Sequence, residues 1–391
     1  MKGIYQLLFF LNAASMGLLT PVLSLVLLAH GAEIETLPLF AALFALTIIL
    51  AELPSGVAAD LFGRKCSFLL SHVFQIGGVL LMLKSQGPFL LAASSILRGL
   101  GSAFASGSLE ALVIDQYKAE RGLARINSQI LLLESAGMAA GALLGGVLGV
   151  WGNGCRVLLC VRLGAEIFLF LLSLACINEE RRFMGNESSR GQIFAFGKLM
   201  GEIRQSFGTA AVILMAAALV GSAQMVLEVY WQQNFISLVP GNMAWCVGVI
   251  SSLGFLGVML GNQFTGVWIA RRPRKKGRIY WLFKFLLPGT VLFLGLCHSW
   301  LLFAALYILA YVILGAGEIS EKVLLHQATA DQCRAGMLSV YSLVIRIGGM
   351  VSSVLASFIA LWGGLTAVWI LLPAAALVCL LAVYVKCGFV D

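Results

Sequence analysis

Charged side chains interrupt several long apolar stretches of this 391-residue chain, and they are the residues best placed to do chemistry. A charged group inside an apolar stretch is costly to bury, so it usually binds a ligand, moves a proton or pairs with another charge. The residues concerned are Glu52, Arg98, Glu110, Glu134, Arg162, Glu166, Glu228, Lys284, Glu318, Glu321, Lys322 and Arg346.

Spacing and position account for many of these charges. Arg162 and Glu166 are four residues apart, as are Glu318 and Lys322, so each couple can pair on one helix face. Four further charged residues lie toward the ends of apolar stretches, where a long side chain can reach water. They are Glu52, Glu110, Glu321 and Lys284. We predict structural roles for most of them.

Arg98, Glu134, Glu228 and Arg346 lie deeper and have no partner within their own helices. An interaction between Glu134 and Arg98 on neighbouring helices would leave neither charge alone. Glu228 and Glu134 are the candidates for a carboxyl group that takes up and releases a proton, and Glu110 and Glu318 come next. For all four deep residues, a purely structural buried pair is the alternative.

Aromatic and amide residues accompany Glu228 in the segment "QMVLEVYWQQNF" (224–235), among them Tyr230. This mixture suits a cavity for an amphiphilic organic molecule. It is also typical of an aromatic belt at a membrane interface, which we expect from Trp231 onward.

The sequence lacks the motifs of covalent or metal chemistry. It has no His/Cys/Asp cluster with ligand spacing, no nucleophile elbow and no phosphate-binding glycine loop. The nine cysteines are scattered and are interpreted as small buried hydrophobes. We therefore predict that the protein is not an enzyme and uses no metal or cofactor.

Composition indicates a membrane protein, because 60% of the residues are hydrophobic and only 11% are charged. A soluble domain has roughly a quarter charged residues. Apolar runs long enough to cross a bilayer occur at 4–28, 37–58, 66–84, 88–114, 126–151, 155–177, 207–235, 243–270, 279–298, 300–324, 336–362 and 365–386. The expected fold is an all-α integral membrane protein of twelve helices.

Basic residues predict the orientation of these helices. Most of the 26 Lys and Arg residues fall in segments that are cytoplasmic if the N-terminus is cytoplasmic, which puts both termini inside. This topology explains the net charge of +8 without nucleic acid. The polar segment 178–206 divides the chain into a six-helix bundle at 1–177 and another at 207–391.

A tight, charged connection between the second and third helices has a counterpart in the second half. "AELPSGVAADLFGRK" (51–65) aligns with "GNQFTGVWIARRPRKK" (261–276) at a shift of 210 residues. A second pair of stretches, 107–128 and 318–339, aligns at a shift of 211. Because both halves have six spans and one orientation, we predict a parallel repeat.

These features resemble the major facilitator superfamily of secondary transporters. "GVAADLFGRK" (56–65) is similar to the superfamily's loop motif, and Leu61 departs from it where a basic residue is common. The five matching positions are Gly56, Asp60, Gly63, Arg64 and Lys65. "LRGLGSAF", with Arg98 and Gly101, resembles the Arg-containing motif of helix four.

The resemblance implies alternating access, with helices one, four, seven and ten lining the substrate cavity. It directs Arg98 and Glu228 toward that cavity. It also implies that the loop motif is a conformational latch, in which Asp60 lies near a helix N-terminus and Arg64 pairs with Asp115. Ordinary positive-inside residues are the alternative explanation for Arg64 and Lys65.

Glycines recur every four residues in "ESAGMAAGALLGGVLGVWG" (134–152), a spacing that favours close helix packing. The packing residues are Gly137, Gly141, Gly145 and Gly146. The segment is also similar to the antiporter motif of helix five, although Ala142 stands where that motif has Pro.

We therefore expect a monomeric, proton-coupled exporter of a small amphiphilic organic compound in a bacterial inner membrane. Two alternatives stay open. The same fold could import a small metabolite or metal chelate as a symporter or uniporter, or the protein could be a membrane sensor that transports nothing.

Overall fold

The structure is a computed structural model that describes residues 3–106, 108–121, 123–150, 154–179, 209–329 and 334–387. Within these ranges the chain forms helices joined by short connections. The helices are α1 (Gly3–Leu19), α2 (Leu23–Ala29), α3 (Leu37–Phe62), α4 (Arg64–Lys84), α5 (Pro88–Ala105), α6 (Ser108–Arg121), α7 (Leu123–Val150), α8 (Gly154–Cys176), α9 (Thr209–Leu238), α10 (Cys246–Arg271), α11 (Lys276–Gly295), α12 (Trp300–Ala328) and α13 (Arg334–Cys387).

Eleven helical segments within the described ranges are long and apolar enough to cross a membrane. Helices suit this environment because they satisfy every backbone hydrogen bond internally, where no water is available. The last segment, Met337–Lys386, has 50 residues and would be about 75 Å long if straight. That is more than twice the ~30 Å of hydrocarbon in a bilayer.

Gly364 divides this long segment into two spans. Its φ of 69° and ψ of −177° are non-helical, and only a residue without a Cβ adopts them at little cost. The break falls between the predicted spans 336–362 and 365–386. The predicted all-α membrane fold with twelve spans is confirmed.

Several predicted boundaries are wrong because polar residues continue the helices. The residues around the loop motif are helical up to Phe62, and α4 begins again at Arg64. The connection is therefore Gly63 alone, with φ of 96°. The predicted fourth span, 88–114, is confirmed as Pro88–Ile114, and its helix is interrupted after Ala105, between α5 and α6.

One compact unit comprises Met1–Glu33, Leu43–Ser189 and Pro240–Leu253. Its core includes Leu8, Phe9 and Phe68, all at most 3% exposed. Here α7 lies directly against α1. The contact is so close that a Cβ added at any of three glycines of α7 would collide with a main-chain oxygen of α1. These contacts join Gly137 to Phe10, Gly141 to Ala14 and Gly145 to Leu18.

The same glycine segment has a second close approach within this unit. Gly146 lies against Gly248, in the first turns of α10, and neither position has room for a Cβ. Gly149 faces the side chain of Val22. The four-residue glycine spacing therefore corresponds to backbone-to-backbone helix packing.

The other compact unit comprises Ile34–Ala42, Arg190–Val239 and Gly254–Asp391. One core cluster of this unit includes Ile213, Tyr280 and Leu380, which are fully buried. Gly348 on α13 meets the main-chain oxygen of Ala218 on α9, again with no room for a Cβ. Close packing through glycine is therefore a feature of both units.

Candidate functional site

A buried polar network in the first unit centres on Glu166 of α8. Ser15 donates a hydrogen bond of 2.7 Å from Oγ to Glu166 Oε1, and His72 Nδ1 lies 2.8 Å from Oε2. Arg162 Nη2 is 3.9 Å from Oε1, so the predicted i,i+4 pair is confirmed. All four side chains are buried, and three helices, α1, α4 and α8, contribute to the network.

The network continues toward Arg98 through Gln75. Arg162 Nη2 donates to Gln75 Oε1 at 3.4 Å, and Gln75 Nε2 donates to the main-chain oxygen of Arg98 at 3.2 Å. The guanidinium of Arg98 lies 5.6 Å from the centre of the Phe44 ring, in cation–π range. Among the described residues, Nε of Arg98 has no hydrogen-bond partner.

The predicted interaction between Glu134 and Arg98 is wrong in the described part of the chain. The charged neighbour of Arg98 is Arg162, and that of Glu134 is Glu110. The physical reason is that α5 packs on α4, which places Arg98 beside Gln75 instead of beside α7. The exposed side chain of Glu134 thus faces a second carboxyl group instead of a cation.

The second unit contains a buried ion pair that the sequence did not indicate. Nζ of Lys284 on α11 meets the carboxylate of Glu321 on α12, and the hydroxyl of Tyr341 donates to the same carboxylate. Both charged side chains are only 3% exposed. The prediction that they reach water from helix ends is wrong, because packing of α11 against α12 directs them toward each other.

Glu318 and Lys322 form the predicted i,i+4 pair at 2.6 Å on the same helix. Their side chains are 37% and 41% exposed, so water screens this pair. Both the Lys284–Glu321 pair and the Glu318–Lys322 pair join a lysine to a glutamate of α12. The first pair is buried and the second is partly exposed.

Glu228 of α9 occupies an exposed position in the second unit. Gln224 Nε2 donates to Glu228 Oε1 at 2.8 Å. Arg346 and Tyr311 lie within electrostatic range of the carboxylate. Arg346 is half-buried, and among the described residues its Nε has no hydrogen-bond partner.

Aromatic rings extend from this carboxylate into the core of the second unit. Tyr307 hydrogen-bonds Tyr311, and their ring centres are 4.7 Å apart. Trp231 lies 4.3 Å from Tyr307 and is 2% exposed. The predicted interfacial belt from Trp231 is therefore wrong, since this ring packs inside. Tyr230, a predicted cavity residue, is fully buried.

The loop motif receives an acidic cap from a residue that the sequence analysis missed. The carboxylate of Glu179 accepts hydrogen bonds from the backbone N–H groups of Arg64 at 2.8 Å and Lys65 at 2.9 Å. A carboxylate at this position complements the positive end of the α4 dipole. Lys65 Nζ also donates to the main-chain oxygen of Leu174 at 2.8 Å.

The other residues of the expected latch are Gly56, Asp60 and Asp115, and the structure describes the side-chain surroundings of only the first two. A turn this short is expected to need Gly56 for close backbone approach, but this is wrong, because Gly56 lies inside α3 and a Cβ there would meet no atom within 4 Å. Asp60 is half-buried at the end of the same helix. The side chain of Asp115 lies outside the described residues, and so does its expected pairing with Arg64.

Some functional candidates carried only a weak signal in the sequence. His72 is one of four histidines and lies in an apolar run, with Gln75 one turn later on the same helix face. Glu179 directly follows a span and is separated from Arg64 by more than 100 residues. Among the described residues, no group of three or more His, Cys, Asp or Glu side chains could hold a metal ion.

Among the described residues, the many helical segments that are long and apolar enough to cross a membrane define a polytopic membrane protein. The chain belongs to the Major Facilitator Superfamily, whose family model matches residues 7–317. A search of curated protein sequences finds no match.

Solved structures agree with this assignment of the fold. The crystal structure of the nucleoside transporter NupG is 12% identical with a TM-score of 0.81, and the alignment covers 100% of both chains. A POT family transporter in complex with 5-aminolevulinic acid is 15% identical with a TM-score of 0.74, covering 98% of this chain and 95% of the other. A peptide transporter POT in complex with sulfate is 17% identical with a TM-score of 0.73, covering 99% and 95%.

Proposed function

We propose that the protein is a proton-coupled secondary transporter that exports a small amphiphilic organic compound by alternating access. The arrangement around Glu228 supports this proposal most directly. A charge in the middle of a 30-residue membrane helix does not face hydrocarbon. Its exposed carboxylate therefore faces water-accessible space, where a ligand can reach it.

The chemistry around Glu228 fits a ligand with both polar and aromatic parts. Gln224 and Glu228 offer hydrogen-bond groups, Arg346 offers a positive charge, and the buried rings of Tyr307 and Tyr311 pack behind them. Pockets for organic molecules combine a few oriented polar groups with aromatic walls in this way. We assign substrate binding to this cluster.

Proton coupling is assigned to Glu134 together with Glu110. The two carboxyl groups are electrostatic neighbours and repel each other when both are charged. Binding of a proton to one of them relieves that repulsion, so the couple is suited to load and release a proton. Glu228 has a cationic neighbour, Arg346, instead of a second carboxyl group, which suits a residue that binds ligand.

Substitution of each glutamate by glutamine separates these roles. In proteoliposomes, we expect Glu134→Gln to lose accumulation driven by a proton gradient while substrate exchange continues, because exchange moves no net proton. We expect Glu228→Gln to weaken substrate affinity in both assays. The matched control is Glu33→Gln, an exposed residue between α2 and α3, which should transport normally.

A substrate panel in inside-out vesicles, with and without the gradient, identifies the compound and the direction. Normal accumulation by both Glu134→Gln and Glu228→Gln would contradict the coupling and the substrate assignments together. Gradient-dependent accumulation in right-side-out vesicles would favour the importer instead of the exporter.

The loop motif keeps its proposed role as a conformational latch. We expect Asp60→Asn to slow the exchange between outward- and inward-facing states while leaving substrate affinity unchanged, because Asp60 lies at the end of α3 and is not one of the residues assigned to substrate binding. Turnover and equilibrium binding measured on the same preparation distinguish the two effects. Wild-type turnover in this variant would contradict the latch.

We place the protein in the inner membrane of a bacterium as a monomer, with both termini in the cytoplasm. The six-helix halves 1–177 and 207–391, joined by 178–206, are proposed as the bodies that move relative to each other during transport.

A further inference from the structure

An open apolar groove lies on the second unit, between α10, α11 and α12. Its volume is about 570 Å³, within the range of ligand-binding clefts. Leu260, Phe264 and Trp268 form one wall, and Leu286 and Leu309 form parts of the others. Several of these side chains are exposed, so the groove opens to the surroundings of the helices.

A strongly basic connection joins two of the helices that form this groove. The sequence "RRPRKKGR" (271–278) links the end of α10 to the start of α11. Arg271, Arg272, Arg274 and Lys275 are exposed. The connection also reaches the end of the third helix, because Lys276 contacts Gln327 of α12.

Along the axis of α10, the groove lies as far from the basic connection as the acyl chain of a lipid lies from its head group. The lining residues of α10, from Leu260 to Trp268, lie eleven to three residues before Arg271. At 1.5 Å per residue they span about 5 to 17 Å below the basic connection. One leaflet contributes about half of the ~30 Å hydrocarbon thickness, so the groove has the depth of one acyl chain.

A buried hydroxyl supplies a second, independent indication of a ligand. Thr265 lines the groove and is fully buried, and its Oγ1 has no hydrogen-bond partner among the described residues. A buried hydroxyl without a partner is costly. It lies six residues, about 9 Å, before Arg271, between the expected head group and the expected chain. An ester carbonyl of a lipid would accept its hydrogen bond there.

We propose that this groove binds one anionic phospholipid of the surrounding bilayer. The phosphate lies at the exposed arginines of 271–274, an ester oxygen accepts from Thr265, and an acyl chain fills the space beside Leu286 and Leu309. Basic pockets between membrane helices bind anionic lipid head groups through the same combination of charge and shape. The site is separate from Glu228 and does not depend on the direction or coupling of transport.

The head-group part is tested by titrating a fluorescent phosphatidylglycerol into the full-length protein in phosphatidylcholine nanodiscs. We expect saturable binding that weakens with salt, and roughly 100-fold weaker binding in the triple variant Arg271→Gln, Arg272→Gln, Arg274→Gln. The charge-matched control is Lys84→Gln, Arg156→Gln, Lys386→Gln, whose three side chains are also exposed. Equal weakening in both triple variants would mean nonspecific attraction and would overturn the proposal.

The acyl-chain part is tested by filling the groove from positions that have space for a larger ring. Leu286 and Leu309 are 41% and 46% exposed, so Trp at either position occupies the groove without overpacking the core. We expect Leu286→Trp and Leu309→Trp to abolish saturable binding. Leu301→Trp, at a 62% exposed position of α12 outside the groove, should bind like the wild type.

Two outcomes would contradict the proposed phospholipid site. Unchanged binding in both groove variants would show that the basic connection alone attracts the lipid. Equal affinity for phosphatidylcholine with the same acyl chains would show that the groove holds a tail without recognising the head group. Unfolding midpoints of all variants, measured in the same nanodiscs, show whether each one remains folded.

Discussion

Lys284→Met should destabilise the second unit by about 3–5 kcal/mol, the cost of leaving a buried charge without its partner. Glu321 would then keep only the hydroxyl of Tyr341 among the groups described around it. A low-dielectric interior makes this costly, because neither water nor another cation reaches a side chain that is 3% exposed. Equilibrium unfolding of the purified protein in mixed micelles, titrated with SDS, measures the loss.

The helix of Glu321, α12, provides the control for this substitution. Lys322→Met removes the identical charge from the Glu318 pair, which is more than one third exposed. Water screens that pair, so the expected cost is at most about 1 kcal/mol. The double variant Lys284→Met, Glu321→Leu should recover much of the lost stability, since no charge is then buried alone. Equal effects of Lys284→Met and Lys322→Met would contradict the buried pair.

The sequence was sufficient to predict the fold because the bilayer imposes a length on every apolar run. Helix number followed from runs of about 20 residues, and even the last two spans separated correctly at Gly364. The ends were less predictable. Hydropathy assigns Asp60 and Leu61 to a loop, whereas the helix continues through them because backbone hydrogen bonds persist past the apolar boundary.

The charged sites were predictable only where their partners are close in sequence. The pairs Arg162–Glu166 and Glu318–Lys322 follow from i,i+4 spacing, and both are present. His72 with Glu166 and Lys284 with Glu321 join different helices, 94 and 37 positions apart along the sequence. Which helix faces which depends on packing of nearly uniform apolar surfaces, and a single sequence contains little information about that.

The glycine spacing on α7 leads to the second large effect. Gly141→Ala should destabilise the first unit by about 1–3 kcal/mol, because its Cβ would coincide with the main-chain oxygen of Ala14. Backbone cannot rotate away as a flexible side chain does, so α1 and α7 must separate along their length. Gly137 and Gly145 lie one turn to either side and would lose their contacts as well. The same SDS titration measures the change.

The control is a glycine at which substitution by alanine should not reduce the stability of the protein. Gly164 is also inside a membrane helix, α8, but a Cβ there meets no atom within 4 Å. Because alanine loses less backbone entropy than glycine on helix formation, Gly164→Ala should be neutral or stabilising by up to about 1 kcal/mol. If the two variants unfold at the same SDS fraction, the backbone contact between α1 and α7 is wrong. If Gly141→Ala alone unfolds early, the four-residue glycine repeat is a packing requirement of this unit, whether or not it also has an antiporter role.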